Sequence, residues 1–387
     1  MGLVSLPNGM ANPSFSACPF LSLQRSLSHS SPISSPRLQS QGFLEQDPLH
    51  RRDRIRRKVY RGGKRKGQVN FYWKSEVNDM EKKSRVLVIG ATGRLGRHLA
   101  EASLRFSHPT FALVRDSSFS HPLKSQNLQS LSNAGATLLR GSLQDEASLI
   151  EALKQVDVVI CAISPTQALD QKLLIRAIKQ VGCIKRFIPS EFGLDPDKVQ
   201  VSGMHYNFFS PKAEIRRLVE EQGIPYTFVS CNFFMSYLLP SLVQPGLTSP
   251  PRDQVTIFGH GNTKGVFVQE KDIASFTIRA VDDPRTLNKV LHLRPPGNVY
   301  SMNELVGIWE TKIAKKLHKI YLSEQELLNR ITETPYPENL DLIFIYSAFI
   351  KGDQTYFDIE ASGGVEGTKL YPEVNYTTIS EYLDTLL

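Results

Sequence analysis

The chain has 387 residues and a formal net charge of +8, from 46 Lys and Arg against 38 Asp and Glu. Residues 1–79 hold 13 of the basic and 5 of the acidic residues, which leaves 33 of each sign in residues 80–387. The body is therefore neutral and gives no argument for a nucleic-acid partner, and the absence of any run of about 18 apolar residues argues against a membrane span.

Residues 1–79 differ in composition from the rest of the chain. The first 44 residues contain no acid and are rich in serine, with scattered arginine, which is typical of an organelle transit peptide. We expect 1–79 to be a disordered extension, either transit-like or absent from the mature protein, because Met80 leads directly into the first predicted strand. The expected location is the cytoplasm, or a plastid if 1–79 is a genuine transit peptide. A nuclear signal or RNA-binding arm in the basic run 51–66 is a further alternative.

An apolar strand that breaks into three glycines opens the body. Residues 86–89 are followed by Gly90, Gly93 and Gly96 in the spacing G-x-x-G-x-x-G, and residues 94–106 have a helix-compatible composition. Glycines of this kind permit a tight turn, close approach of backbone N–H groups to a pyrophosphate, and close packing of helix on strand. An ordinary glycine turn is the alternative. The predicted cofactor contacts of this loop are Gly90, Ala91, Thr92, Gly93, Arg94, Leu95 and Gly96.

The second predicted strand, residues 110–114, ends on Arg115. An acid at this point of a dinucleotide-binding fold holds the ribose 2′-hydroxyl, whereas an arginine suits a 2′-phosphate. Lys124, expected in the polar loop that follows, can add a second positive charge to the same phosphate. We therefore expect NADPH rather than NADH. The acidic residue Asp116, directly after Arg115, complicates this assignment. The alternative is that Arg115 and Lys124 are both solvated surface charges.

Short apolar strands alternate with helical stretches along the rest of the body. Further strands are predicted at 136–139, 156–163, 186–189, 226–231, 255–259, 265–268 and 290–293. Further helices are predicted at 146–154, 167–181, 273–281, 301–313 and 324–331. The alternation predicts an α/β fold with a Rossmann-type, doubly wound parallel sheet, whose ligands lie at the carboxyl ends of the strands. We expect an NADP-binding domain over 80–235 and a smaller α/β substrate-side domain over 236–387, with some segments crossing between the two lobes.

Lys212 is the candidate for proton transfer. Ser210 and Pro211 predict an N-cap and a first helical residue, which places Lys212 in the first turn of a helix. The helix dipole disfavours a cation there and the aromatic pair 208–209 precedes it, so both effects lower a lysine pKa towards neutrality. The Tyr-x-x-x-Lys sequence at 60–64 lies upstream of the glycine loop and cannot be the catalytic pair of a short-chain dehydrogenase. A solvent-facing helix lysine is the alternative.

Other polar residues are assigned structural roles. Cys161 and Cys231 lie in apolar runs and are expected to be buried thiols, and the cysteine spacing does not indicate a metal site. Four further residues are expected to be satisfied or structural groups rather than catalytic ones: Glu191, Asp195, His205 and His260.

Together, these segments resemble the plant isoflavone reductase-like family, an NmrA-like group of atypical short-chain dehydrogenases. The resemblance covers 84–387 and none of 1–79, and it is closest in appearance to the phenylcoumaran benzylic ether reductases. The segments that carry it are 90–96, 110–115, 155–160, 185–193, 223–227, 282–289 and 370–373.

The resemblance implies an NADPH-dependent oxidoreductase of plant phenylpropanoid metabolism that reduces lignan-type phenolics. It implies Lys212 as general base, which removes, directly or through water, the proton of a phenol para to a benzylic ether or leaving group. The C–O bond then opens to a quinone methide, and hydride is delivered to the benzylic carbon. Isoflavone reductase or eugenol-synthase-like activity is an alternative, as is a non-catalytic NADP(H)-sensing regulator.

The resemblance also assigns residues around the cofactor and substrate. It places the 2′-phosphate ligands on Arg115 and Lys124. Nicotinamide-side contacts are expected at Ser164, Phe192 and Asn232. An apolar slot for the substrate ring, with core packing as the alternative, is predicted at Phe233, Phe234, Met235 and Tyr237. The sequence at 259–262 and the loop 199–207 depart from the family pattern, so the resemblance does not identify the substrate. The expected partners are a small phenolic and a second copy in a homodimer, without nucleic acid, membrane or metal.

Overall fold

The computed structural model describes residues 83–201 and 208–387, so the predictions for 1–79 and for His205 lie outside the described residues. The strands are β1 (Val86–Ile89), β2 (Thr110–Val114), β3 (Thr137–Arg140), β4 (Val158–Cys161), β5 (Arg186–Ile188), β6 (Thr227–Ser230), β7 (Phe233–Phe234), β8 (Gln254–Phe258), β9 (Lys264–Val268), β10 (Lys289–His292), β11 (Val299–Ser301), β12 (His318–Leu322) and β13 (Val365–Glu366).

The α-helices alternate with these strands through the first part of the chain and surround them in the second. They are α1 (Arg94–Arg105), α2 (Asp116–Phe119), α3 (Pro122–Asn133), α4 (Glu146–Leu153), α5 (Gln171–Val181), α6 (Ser210–Glu221), α7 (Met235–Leu238), α8 (Glu270–Ala280), α9 (Met302–Lys312), α10 (Glu324–Glu333), α11 (Leu340–Ile345), α12 (Gly367–Leu370) and α13 (Ile379–Asp384). None of the helices in the described ranges is long and apolar enough to cross a membrane.

The central sheet is parallel and has the order β3-β2-β1-β4-β5. Strand β1 lies between β2 and β4, and all four of its residues pair on both sides. A bridge from Phe187 to Tyr226, with the Phe187 N–H donating to the Pro225 carbonyl at 2.8 Å, continues the pairing to β6. Strands β10 and β13 follow in parallel. This order is that of a Rossmann-type sheet, so the predicted doubly wound fold is confirmed.

Apolar side chains cover both faces of the central sheet. Because successive residues of a strand point to opposite faces, Val86 and Val88 pack with α1 and α8, whereas Leu87 and Ile89 pack with α4 and α5. All four side chains are buried. With both faces occupied by helices, the carboxyl-terminal edge of the strands is where a ligand can approach the sheet.

Strand pairing crosses the predicted domain boundary near residue 235. Strand β6 pairs with β10, and β7 pairs with β9. Strand β9 also pairs with β11, and β8 forms a separate two-stranded parallel sheet with β12. The division into two domains at this point stays a prediction.

Several element boundaries differ from the predicted ones, including those of α5 and α6. Helix α6 begins at Ser210 and its N-cap residue is Phe209, so the prediction that Ser210 is the N-cap is wrong by one position. The predicted helix at 167–181 is a 3-10 helix over Pro165–Asp170 that continues into α5. Tighter turns of this type are common where an α-helix begins, and the proline at its start lacks the N–H that an earlier turn would need.

Candidate functional site

The glycine loop joins β1 to α1 in a conformation that side chains would block. Gly90 has a φ of +88°, and a Cβ built there would lie 2.2 Å from the Ala162 carbonyl oxygen at the end of β4. A Cβ on Gly96, in the first turn of α1, would lie 2.1 Å from the Gly90 oxygen. The Gly93 N–H closes the turn by donating to that same oxygen at 2.9 Å. The backbone is therefore as tightly packed as the sequence predicts.

The start of α1 presents backbone donors rather than a side-chain cap. Its N-cap residue, Gly93, makes no side-chain capping bond, and the first turn contains no acid. The first N–H groups of a helix lack intrahelical partners and carry the positive end of the helix dipole, so they suit an anion. The space left by the glycines and these donors together fit the pyrophosphate of a dinucleotide.

An open cleft runs from the glycine loop along the ends of β2 and β3. Its lining includes Gly90, Thr92, Val114, Arg115, Ser142 and Gln167. Asp116, which complicated the cofactor prediction, pairs with Arg140 at 2.8 Å. Lys124 lies in the first turn of α3, not in a loop as its polar surroundings suggested. Neither Arg115 nor Lys124 has an ion-pair partner in the described part of the chain, and their contact with a 2′-phosphate stays a prediction.

The three predicted nicotinamide-side residues follow β4, β5 and β6 at the same edge of the sheet as the glycine loop. Ser164 precedes the 3-10 helix after β4. Phe192 is buried and has a φ of +31°, and Asn232 has a φ of +61°. The Asn232 main chain donates to the Gly193 carbonyl at 3.0 Å, and its Nδ2 donates to the Leu293 carbonyl at 2.9 Å. Their contact with a nicotinamide stays a prediction.

Lys212 is buried, with 4% of its surface exposed, so it is not a solvent-facing lysine. It lies in the first turn of α6, as predicted. Its Nζ donates to the Glu191 main-chain carbonyl at 2.7 Å and lies 4.9 Å from the centre of the Phe208 ring. Burial lowers the pKa of Lys212 to about 8, although the nearby Glu191 carboxylate opposes this shift. Lys212 can therefore lose its proton near neutral pH, and the resulting uncharged amine can act as a base.

Arg216 lies one turn beyond Lys212 on α6 and was not identified from the sequence. It is 1% exposed. Its Nε and Nη2 donate to the two Glu191 carboxylate oxygens at 2.7 Å each, and its Nη1 donates to Asp195 at 2.6 Å and to Asp197 at 3.0 Å. Glu191 and Asp195 thus have the structural role predicted for them. The four-residue spacing from Lys212 is the one signal that could have pointed to Arg216.

The predicted substrate slot divides into core residues and residues near Lys212. Phe233 and Met235 are buried, and Phe233 packs on Phe267 with ring centres 5.4 Å apart. Half-buried Tyr237 lies 6.1 Å from the Phe344 ring, which lies 5.0 Å from that of Phe208. The Tyr237 hydroxyl also donates to Asp341. The aromatic group beside Lys212, defined as Phe208, Tyr237 and Phe344, therefore includes a residue of α11 that sequence reasoning missed. Phe234 is half-buried, and the substrate role of all four predicted residues stays a prediction.

The remaining polar predictions concern a loop histidine, two cysteines and the absence of a metal site. His260 is exposed in the turn between β8 and β9, and its Nδ1 accepts from the Asn262 N–H at 3.0 Å, as expected of a satisfied loop histidine. Cys161 and Cys231 are fully buried free thiols, also as expected. Among the described residues, no group of three or more His, Cys, Asp or Glu could hold a metal ion.

The strand order, the glycine loop and the cations after β2 define a dinucleotide-binding protein of the Rossmann class. Residues 82–383 match the NmrA-like family, and the chain belongs to that family. The resemblance drawn from the sequence is therefore confirmed.

Two plant proteins and one solved structure illustrate the likeness. The chain is 61% identical over 311 residues to a probable pinoresinol-lariciresinol reductase 3 of Arabidopsis thaliana, covering 80% of this chain and all of that protein. It is 54% identical over 302 residues to phenylcoumaran benzylic ether reductase IRL1 of Ginkgo biloba, covering 78% and 98%. The structure of AtPrR2 with NADP+ and (+)pinoresinol aligns with a TM-score of 0.74 at 39% identity, covering 79% and 99%.

Proposed function

We propose that the chain is an NADPH-dependent reductase of phenylpropanoid- or lignan-type phenolics. The observation that carries this proposal is Lys212, buried next to an aromatic group and held by the Glu191 carbonyl. The similar proteins support it, since two are named reductases of such compounds and one holds NADP+ with (+)pinoresinol.

The cofactor part of the site accounts for NADPH. The loop Gly90–Gly96 would hold the pyrophosphate with backbone N–H groups, and Arg115 and Lys124 would hold the 2′-phosphate. When bound, NADPH supplies a hydride. Because the predicted cofactor contacts follow successive strands at one sheet edge, the residues after β5 and β6 would face the nicotinamide end.

Lys212 would carry the proton in this reaction. Its uncharged amine accepts the proton of a phenol, and the resulting phenolate expels the oxygen of a para benzylic ether, which leaves as an alkoxide or, from an aryl ether, as a phenoxide and takes a proton from water. The ring is then a quinone methide, and hydride addition at the benzylic carbon restores the phenolate. The Lys212 ammonium returns the proton to the phenolate, while the Glu191 carbonyl keeps Nζ oriented.

The test is NADPH consumption against dehydrodiconiferyl alcohol, pinoresinol, an isoflavone and coniferyl acetate. With the preferred substrate, Lys212→Ala should lower turnover by about 10²-fold or more while NADPH binding persists. Lys172→Ala is the control, because Lys172 is a partly exposed lysine of the neighbouring helix α5, paired with Glu214. Near-normal turnover in Lys212→Ala would contradict the assignment. NADPH binding without consumption across the panel would favour an NADP(H)-sensing regulator.

We also propose that the enzyme acts in the cytoplasm, or in a plastid if residues 1–79 are a transit peptide. The acid-free, serine-rich composition of the first 44 residues supports the plastid alternative. N-terminal sequencing of the native protein distinguishes the two. Homodimer formation stays a prediction, which light scattering of the purified protein checks.

A further inference from the structure

Two buried cations on α6 share one neighbouring acid. Lys212 and Arg216 are four residues apart, so they lie on the same face of the helix, and both are buried. Glu191 serves both of them, but with different atoms. Its main-chain carbonyl accepts from Lys212 Nζ at 2.7 Å, whereas its two carboxylate oxygens accept from Arg216.

Both oxygens of the Glu191 carboxylate accept hydrogen bonds from Arg216. Burial raises the pKa of the Glu191 carboxyl and the guanidinium opposes that rise. Two N–H donors at 2.7 Å face two oxygens, which is the fork-to-fork geometry of an ionised carboxylate. For Arg216, burial opposes the charge, but contact with Glu191 and the aspartates outweighs it and raises its pKa. The pair is therefore a buried, charged one.

We infer that Arg216 is a positioning residue for Lys212: by binding both oxygens of Glu191, it keeps that carboxylate from pairing with the lysine and so keeps an uncharged amine available as a base. The inference rests on the function proposed above for Lys212. If Arg216 were lost, the buried Glu191 carboxylate would be left with Lys212 as its neighbouring cation among the described residues.

The groups that face Lys212 come from three elements. Glu191, after β5, favours the charged lysine, whereas Arg216, on α6, disfavours it. Cys231, after β6, faces it as a thiol, because burial raises the pKa of Cys231. Phe208 adds an aromatic face rather than a charge. Of these groups, the Glu191–Arg216 pair is the one whose separation would change the charge seen by Lys212.

On its far side, Arg216 is supported by groups that do not face Lys212. Asp195 and Asp197 accept from Nη1, and the His292 Nε2 lies 3.6 Å from the second Asp195 oxygen. Burial lowers the pKa of His292 to about 4, so this imidazole is neutral at pH 7. Asp197 is about one third exposed at the outer end of the cluster, which makes it a suitable position for a control variant.

The experiment follows the ionisation of Lys212 directly, without depending on turnover. In the full-length protein labelled with [ε-13C]lysine, the Lys212 resonance is assigned by its loss in Lys212→Arg and titrated from pH 6 to 11. Arg216→Met should raise the pKa of Lys212 by about one pH unit or more, because Glu191 becomes free to pair with it. Glu191→Gln should lower that pKa, because Arg216 is left without its main counter-charge on that side.

A control variant and a second variant of Arg216 keep the outcome decisive. Asp197→Asn removes a carboxylate from the same guanidinium without freeing Glu191, so the titration of Lys212 should stay unchanged. If Arg216→Met does not fold, Arg216→Lys takes its place: it keeps a cation beside Asp195 but cannot bind both Glu191 oxygens with a two-pronged contact, so the pKa of Lys212 should still rise. An unmoved Lys212 in a folded Arg216→Met or Arg216→Lys would overturn the inference.

A second measurement separates this inference from the proposed function. The pH dependence of kcat/KM should move with the Lys212 resonance in each folded variant, since an amine base acts in its uncharged form. If the resonance moves as expected while Lys212→Ala retains normal turnover, the electrostatic role of Arg216 stands and the function proposed for Lys212 fails. If Lys212→Ala is inactive and the resonance does not move, Arg216 is merely structural.

Discussion

The variant Gly96→Ala tests whether the close packing of the cofactor loop on α1 outweighs the higher helix propensity of alanine. The added Cβ would lie 2.1 Å from the Gly90 oxygen and 2.6 Å from its carbonyl carbon, both main-chain atoms. Since ordinary Cβ contacts begin at 3.4 Å, the loop must move away from α1 by about 1 Å. Overpacking of this kind costs about 1–3 kcal/mol, whereas glycine to alanine in an unobstructed helix gains about 0.5–1 kcal/mol. The cost of overpacking at Gly96 should therefore exceed the gain in helix propensity.

Gly307→Ala is the matched control, because Gly307 lies within α9 and nothing lies within 4 Å of its added Cβ. In urea unfolding, Gly307→Ala should raise the free energy of unfolding by about 0.5–1 kcal/mol, and Gly96→Ala should lower it by about 1–2 kcal/mol. In a fluorescence titration, Gly96→Ala should weaken NADPH binding about tenfold or more, because the displaced N–H groups no longer converge on the pyrophosphate. If Gly96→Ala stabilises the protein and leaves the affinity unchanged, the packing argument is wrong.

Three further predictions follow from charged groups. Because burial lowers the pKa of Lys212 to about 8, kcat/KM should rise through about pH 8 as the amine loses its proton; a profile that is flat from about pH 6 to 10 contradicts this. Arg115→Gln should lower the preference for NADPH over NADH by about tenfold, with the KM for NADH as internal control. The Arg85 guanidinium holds the pKa of Asp157 well below its usual range, so this pair stabilises the protein above about pH 4 and its contribution is lost as the pH falls towards the lowered value. In urea unfolding, Asp157→Asn should therefore cost about 1–2 kcal/mol at pH 7 and less in acid, whereas Glu151→Gln, in an exposed pair, should change stability by less than about 0.5 kcal/mol.

The central sheet could be predicted because its signals are local. The apolar run of β1, the glycines after it and the alternation of strands with helices all lie within short windows of sequence. Strand β12 gave no such signal, since it mixes charged and apolar residues and most of it is exposed. It is a strand because β8, far earlier in the chain, supplies a parallel partner along its whole length. Pairing of this kind depends on the tertiary fold and cannot be read from β12 alone.

In the candidate site too, some residues could be predicted from local sequence, whereas others depend on the tertiary fold. The cofactor loop and Lys212 follow rules for helix starts and glycine turns, and both lie where those rules place them. The membership of the aromatic group could not be predicted, because Phe344 reaches Phe208 and Tyr237 from a helix in the last quarter of the chain. Phe233 shows the opposite case. It follows the strand end where ligands are expected, yet it packs on Phe267 in the core.

Arg216 and Arg217 show why the contacts around Lys212 could not be predicted from the sequence. They are adjacent arginines on one helix, but the side chain of Arg217 is 53% exposed and that of Arg216 is 1% exposed. A guanidinium is tolerated in the interior when carboxylates pair with it, and Glu191 and Asp195 come from the segment after β5. That segment also supplies the carbonyl that holds Lys212. The lysine and the arginine therefore depend on the same turn, so Glu191 can be exchanged for a neutral residue only by changing the charge balance around Lys212.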